Sequence, residues 1–245
     1  MSVQLSISPD AEATARAAVE QIESWGQDCI RTQGRFLMAL AGGSTPRKVY
    51  ELWAATSRLN WDQVDLVFGD ERCVPHDHAD SNYGMVKQAL MSKLIRPPHV
   101  HRMPGEDPDP DHAALQYERT LTKLVEEEVG VDLVLLGMGA DGHTASLFPD
   151  SPALEETERR CVATTAPDGK TRRLTMTFAE LRRAQRIMFL VVGKEKAKIL
   201  REVLEGELNP ARLPSQNLLR DNLLETYLFC DEAAAAELEA DYPEA

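Results

Sequence analysis

Asp141-Gly142-His143 is the part of this sequence best equipped for chemistry, and it lies in the run LLGMGADGHTASLFP over 135–149. An imidazole titrates near neutral pH, so it can take a proton from water and later give one back. A nearby carboxylate can fix the tautomer of that imidazole. A helix-capping Asp beside a structural His fits the same triplet, and the triplet alone does not choose. The run also spells G-x-G-x-x-G from Gly137 to Gly142, after the apolar residues 131–136. On paper that is a dinucleotide loop, but the context is wrong. A true one opens a full βαβ unit, whose second strand ends in an acid about twenty residues on. Here Pro149 and Pro152 cut the segment short, and no strand ends in an acid at that place. No G-x-S-x-G elbow is present, which disfavours a serine nucleophile.

Two more stretches could serve a sugar or an anion. In AGGSTPRKVYELW, at 41–53, a strand leaves through Gly42 and Gly43 into a helix. Two glycines let a ligand approach the backbone. Ser44 or Thr45 is expected to cap the helix, Pro46 suits its first turn, and the free amides there suit an anion. A well-capped turn with no ligand fits equally well, and the P-loop pattern is absent. In VDLVFGDERCVP, at 64–75, a strand ends in charge. Asp70 or Glu71 can orient a sugar hydroxyl or move a proton, and Arg72 can hold a phosphate through two parallel hydrogen bonds. A salt-bridged strand end is the equal alternative. The His76, Asp77, His78 and Asp80 stretch reads as a solvated loop rather than a metal site, and so does the pair His99 and His101, which lacks a third ligand. No metal is expected.

These residues need a frame. Periodicity and capping residues predict a helix over 11–30 behind Asp10, a strand over 35–41, a helix over 46–55 and a strand over 65–68. Helices over 83–94 and 112–128 follow, the second capped by Asp111 after the Pro-rich turn at 104–110. A strand over 132–136 leads into the Asp-Gly-His run. Strands over 160–165 and 172–178 flank Pro167-Asp168-Gly169 as a hairpin. A strand over 187–192, a helix over 195–205, a strand over 226–230 and a short helix capped by Asp231 complete the chain. Such alternation predicts an α/β fold: a mostly parallel, Rossmann-like sheet flanked by helices on both faces, with a β-hairpin insertion. In that fold ligands bind at the carboxyl ends of the strands, where the three loops above lie. At 245 residues and 43% hydrophobic, the chain is expected to form a single domain over 1–245.

Composition removes some partners. A net charge of -13 would repel a polyanion, so nucleic acid is not expected. A small anion remains allowed where Arg and Lys converge. No apolar run is long enough to span a bilayer, and the first residues lack the basic start and apolar core of a signal peptide. A cytoplasmic protein with no membrane partner is expected, as a monomer or small homo-oligomer. Cys29, Cys73, Cys161 and Cys230 are scattered, without a C-x-x-C pair, and read as free thiols.

GMGADGHTASLFP resembles the signature of the 6-phosphogluconolactonases. LAGGSTP, VFGDERCVP, RRLTMTF and VVGKEKAKIL resemble stretches of the same family in the same order, so the likeness is collinear over 36–200. The related glucosamine-6-phosphate isomerase/deaminases typically continue Ile-Ala-Phe-Asn-Glu-Pro where this chain has residues 144–149, and have Asp-Glu-Tyr where it has residues 70–72. Both differences point to the lactonase branch. The resemblance implies hydrolysis of 6-phospho-D-glucono-1,5-lactone to 6-phosphogluconate in the oxidative pentose phosphate pathway. His143 would serve as base and then acid, and Asp141 or Asp70 would orient it or the sugar hydroxyls. Gly42, Gly43, Ser44, Thr45, Arg72, Arg173 and Lys196 would hold the phosphate, with no cofactor. A deaminase and a non-catalytic sugar-phosphate sensor are the alternatives. The tail after Leu213 matches only loosely, and the resemblance implies no role for Gln216 or Asn217.

Overall fold

The computed structural model describes residues 3–125 and 129–244. Strand β1 (Gln4–Ser8) leads into helix α1 (Ala11–Gln33). Asp10 caps α1 by accepting from the Glu12 and Ala13 amides. Next come β2 (Phe36–Leu40), α2 (Ser44–Thr56), β3 (Val64–Phe68) and β4 (Asp70–Arg72). They are followed by α3 (Asn82–Ala89), β5 (His99–Val100), α4 (Pro110–Leu124) and β6 (Leu133–Gly137). The expected hairpin is β7 (Cys161–Thr165) with β8 (Arg172–Met176). The remainder is α5 (Phe178–Leu181), β9 (Arg186–Val191), α6 (Ala197–Glu205), α7 (Gln216–Leu219), β10 (Thr226–Asp231) and α8 (Glu232–Ala235).

Seven strands form one parallel sheet in the order β1-β10-β9-β6-β2-β3-β5. All five residues of β2 are buried. A parallel strand covered by helices on both faces reads as a continuous apolar run, and FLMAL does. The hairpin joins β4 in a separate antiparallel sheet of order β4-β8-β7. Among the described residues, no helix is long and apolar enough to cross a membrane.

The structure corrects several boundaries. The segment from Asp70 to Arg72, expected as a loop, is β4; three residues are too few to show a period, and β8 supplies their pairing. Gly43, not Ser44 or Thr45, stands at the α2 cap, and no side chain caps that helix among the described residues. Asp109 rather than Asp111 caps α4, because Pro110 takes the first helical position. The helix expected over 83–94 ends at Ala89, and a 3-10 turn over Met91–Lys93 follows. The end of the helix expected over 112–128 falls at Leu124, and residues 126–128 lie outside the described residues.

Where a parallel strand stops, its backbone groups lose their ladder partners and need others. Buried tyrosines supply them twice. The Tyr50 hydroxyl accepts from the Ala41 amide and donates to its carbonyl, both at 2.9 Å. Tyr117 serves Phe68 likewise, at 2.7 and 3.0 Å. Burial pushes both phenols' pKa values up, so they remain neutral donors. Ahead of β6, the Asp132 carboxylate accepts from the Leu37 amide at 2.7 Å, and from Gln33 at 2.6 Å and Gln185 at 2.9 Å.

Replacing Tyr50 or Tyr117 by Phe leaves one buried amide and one buried carbonyl unpaired. Each variant is expected to lose about 1–3 kcal/mol of unfolding free energy. Urea denaturation measures this, with the slope unchanged. Parent-like stability in either variant would show that the strand end is satisfied in another way.

Candidate active site

Strands β9, β6, β2 and β3 are neighbours in the sheet and, being parallel, end at one edge. The segments leaving them carry every expected site residue except Arg173, which lies on β8. A cavity of about 220 Å³ is walled by Gly42, Gly43, Asp70, Arg72, Asn82 and His143, among others. A second, of about 480 Å³, shares Gly42, Gly43, Gly137 and Met138 with it, and is walled by Ser44, Thr45, Lys48 and Lys196. Most of the expected residues therefore wall two adjoining compartments; Asp141 and Arg173 wall neither, and reach them only through His143 and Arg72. One holds the imidazole and the β4 charges; the other holds the start of α2 and Lys196.

No helix follows β6 directly; the chain turns through an irregular loop, so the G-x-G-x-x-G opens no βαβ unit. Its second glycine has a different purpose. A Cβ on Gly139 would stand 2.1 Å from His143 Nδ1 and 2.6 Å from Asp141 Oδ1. The bare backbone lets that pair lie against it. Gly142, at φ 79°, makes the left-handed bend that follows Asp141. His143 Nδ1 lies 2.5 Å from Asp141 Oδ1. An ionised carboxylate only accepts, so Nδ1 carries the proton and Nε2 is the basic nitrogen. The Phe148 ring packs on the imidazole, with centroids 4.7 Å apart. Burial pushes the Asp141 carboxyl up, but the charge and hydrogen bonds of His143 outweigh it, and the net shift is downward.

Between the two carboxylates left open by the sequence, the partner of His143 is Asp141. Asp70 accepts instead from Ser146 Oγ at 2.7 Å and Asn82 Nδ2 at 3.2 Å. Strand alternation places Asp70 and Arg72 on one face of β4, toward the cavity, and Glu71 on the other. Glu71 is 2% exposed. It accepts from the Asn82 and Tyr83 amides at 2.7 and 2.8 Å, which fastens the start of α3. Burial raises its pKa despite these bonds. Asn82 and Ser146 are site residues that the sequence reading missed. Gly42 is a trace of Asn82 alone, since a Cβ there would meet Asn82 Oδ1 at 1.9 Å.

Positive charge collects at both compartments. Arg72 stands directly opposite Arg173 in the β4–β8 pairing. Like charges so placed destabilise a sheet unless an anion comes between them. Burial, then Arg72, holds the Arg173 pKa down. The Nε atoms of both arginines are buried without a hydrogen-bond partner among the described residues. Arg72 Nη1 donates to the Asp80 carbonyl at 2.6 Å. In the other compartment, Gly43 at φ 105° leaves the first amides of α2 without a side-chain cap. That is a ready anion seat. Lys196 Nζ donates to the Met138 carbonyl at 2.8 Å at the same wall. Among the described residues, no three His, Cys, Asp or Glu side chains group to hold a metal ion. His101 pairs with Asp65 at 2.7 Å.

The lowered Asp141 pKa has a consequence for stability. The ionised form is favoured in the folded state, so its contribution is complete above the ordinary value of 3.8 and is lost as pH falls through the lowered one. Asp141→Asn removes the titration. The stability gap between parent and variant is therefore expected to narrow as pH is taken below 3.8, in urea melts across an acid series. A gap that widened on acidification would contradict the pairing.

The family model for Glucosamine-6-phosphate isomerases/6-phosphogluconolactonase matches residues 9–227. A 6-phosphogluconolactonase of Nostoc sp. is 35% identical over 97% of this chain and 99% of its own length. One of Treponema pallidum is 38% identical over 79% of this chain and 81% of its own. Among solved structures, the 6-phosphogluconolactonase of Thermotoga maritima superposes with a TM-score of 0.81 at 30% identity, covering 94% of this chain and 99% of that one. A monomeric glucosamine-6-phosphate deaminase reaches a TM-score of 0.82 at 20% identity, covering 96% of this chain and 100% of that one; this shows the fold alone. With the matched span covering most of the chain, this protein belongs to the glucosamine-6-phosphate isomerase/6-phosphogluconolactonase family.

Proposed function

We propose that this chain hydrolyses 6-phospho-D-glucono-1,5-lactone to 6-phospho-D-gluconate, a step of the oxidative pentose phosphate pathway. One observation carries the reading: the His143–Asp141 pair at the wall of a cavity that opens beside an uncapped helix start. The names of the relatives in the comparison support it.

His143 Nε2 takes a proton from water as the water oxygen bonds to the lactone carbonyl carbon. The carbonyl oxygen gains negative charge; Arg72, expected from the sequence to hold phosphate, shares the His143 compartment and, with Arg173 opposite it, is assigned to that charge instead. The tetrahedral species then collapses. The bond from carbon to the ring oxygen breaks, and the proton held on Nε2 passes to that oxygen. Asp141 keeps the ring oriented and stabilises its charged form between these two transfers. Asp70, fixed by Ser146 and Asn82, is placed to accept from a sugar hydroxyl. Gly42, Gly43, Ser44 and Thr45, together with Lys196, seat the phosphate in the adjoining compartment. A lactone is already reactive, so holding it at both ends beside one base supplies the rest. No metal or organic cofactor enters this scheme.

His143→Ala is expected to lower kcat by roughly 10²–10⁴-fold. KM should move less, because the phosphate seat is separate. Lactone hydrolysis corrected for the spontaneous rate measures both, and near-normal turnover in a folded variant would overturn the assignment. Ammonia released from glucosamine 6-phosphate would mark the deaminase instead.

Lys196→Ala is expected to weaken inhibition by inorganic phosphate by an amount worth about 1.5–3 kcal/mol, the range for a hydrogen bond to a charged group. Arg72→Ala should act mainly on kcat. Equal loss of phosphate inhibition in both variants would move the phosphate to the Arg72 side.

A further inference from the structure

Residues 206–216 line neither compartment. They nevertheless hold the catalytic loop at two points. The Ser215 amide donates to the Gly142 carbonyl at 2.9 Å, and the Asp150 amide donates to the Ala211 carbonyl at 3.0 Å. Gly142 and Asp150 both have left-handed backbones, at φ 79° and 57°. His143 and Phe148 lie between them. Leu213 presses on the first of these points: a Cβ on Gly142 would stand 2.9 Å from its Cδ2.

The segment owes its own course to one side chain. Gln216 is 2% exposed. Its Oε1 accepts from the Asn209 amide at 2.7 Å. Its Nε2 faces the Glu207 carbonyl at 3.0 Å, the Val203 carbonyl at 3.3 Å and the Glu202 carbonyl at 3.4 Å. One primary amide thus ties the last turn of α6, at Val203, to the Glu207 carbonyl and the Asn209 amide of the segment that leaves it. A carboxylate in its place could accept from Asn209 but could not donate to those carbonyls.

We propose that Gln216 is a positioning residue for the catalytic histidine. Through Ser215 and Leu213 it fixes the backbone at Gly142, and so the aim of the His143 imidazole at Asp141. It lines neither compartment and makes no hydrogen bond to His143 or Asp141 among the described residues. The inference rests on the lactonase reading of His143, but its test does not depend on activity alone.

The experiment compares Gln216→Met with Leu121→Ala, a buried α4 truncation remote from the loop. Gln216→Met is expected to lower kcat roughly 10–100-fold, the scale of a small misplacement of a reacting group. KM should stay within about twofold, since the phosphate seat is untouched. The ring-nitrogen NMR shifts of His143 should move away from the parent pattern of a protonated Nδ1 bound to Asp141. Leu121→Ala should lower the melting temperature and leave kcat and those shifts in place. A Gln216→Met protein with parent-like kcat and shifts would overturn the proposal, as would a rise in KM alone. If that variant fails to fold, Leu213→Ala tests the same contact with the same readouts. If the parent hydrolyses no lactone, the functional reading fails, and the NMR comparison still decides whether Gln216 sets the imidazole.

Discussion

A parallel strand that stops inside a protein leaves an amide and a carbonyl with no neighbour to bond, and four such strands stop together here. Much of what surrounds the site answers that need. Tyr50 and Tyr117 complete the ends of β2 and β3. Thr144 Oγ1 donates to the Gly137 carbonyl and Lys196 to that of Met138, which completes β6. One of the polar groups that end the ladder, Lys196, also walls a cavity. Its ammonium both closes a strand and brings positive charge to the compartment proposed to take the phosphate.

Charge is arranged against the background of the whole chain. The net charge is -13, yet Arg72, Arg173, Lys196 and Lys48 gather at one edge of the sheet. A local positive field inside a negative molecule selects small anions over large ones, because a long polyanion meets the repelling surface before it reaches the cleft. The two opposed guanidiniums on β4 and β8 are tolerable in the folded chain because Arg72 is tied to a backbone carbonyl and faces the polar cavity.

The inner strands of the parallel sheet were legible as apolar runs, and its helices carry clear caps, as with Asp10 and Asp231. The three loops at the strand ends were legible as candidates for the same reason. The edge strands β1, an alternating QLSIS, and β5, two residues long, were not read as strands. What the sequence hid depends on distance in space. Strand β4 exists only because β8 lies alongside, and three residues carry no period of their own. Asn82 reads as the start of a helix, and only the fold brings its amide onto Asp70. The choice between Asp141 and Asp70 as the partner of His143 is likewise a matter of where Ser146 sits, 76 residues from Asp70. Glu71 looked like an equal of Asp70 until strand alternation sent it to the opposite face.

Gly139 gives this architecture an evolutionary hinge. It is the residue against which the His143–Asp141 pair rests, and it lies on a partly exposed loop, outside the apolar core. Any replacement reached by a point change in its codon adds at least one carbon where the imidazole now lies. Such a change displaces the base while leaving the sheet, the uncapped start of α2 and the gathered cations as they are. On the proposed function, the descendant would lose its base and keep its phosphate seat. One carbon atom would then separate a catalyst of this design from a receptor for the same ligand.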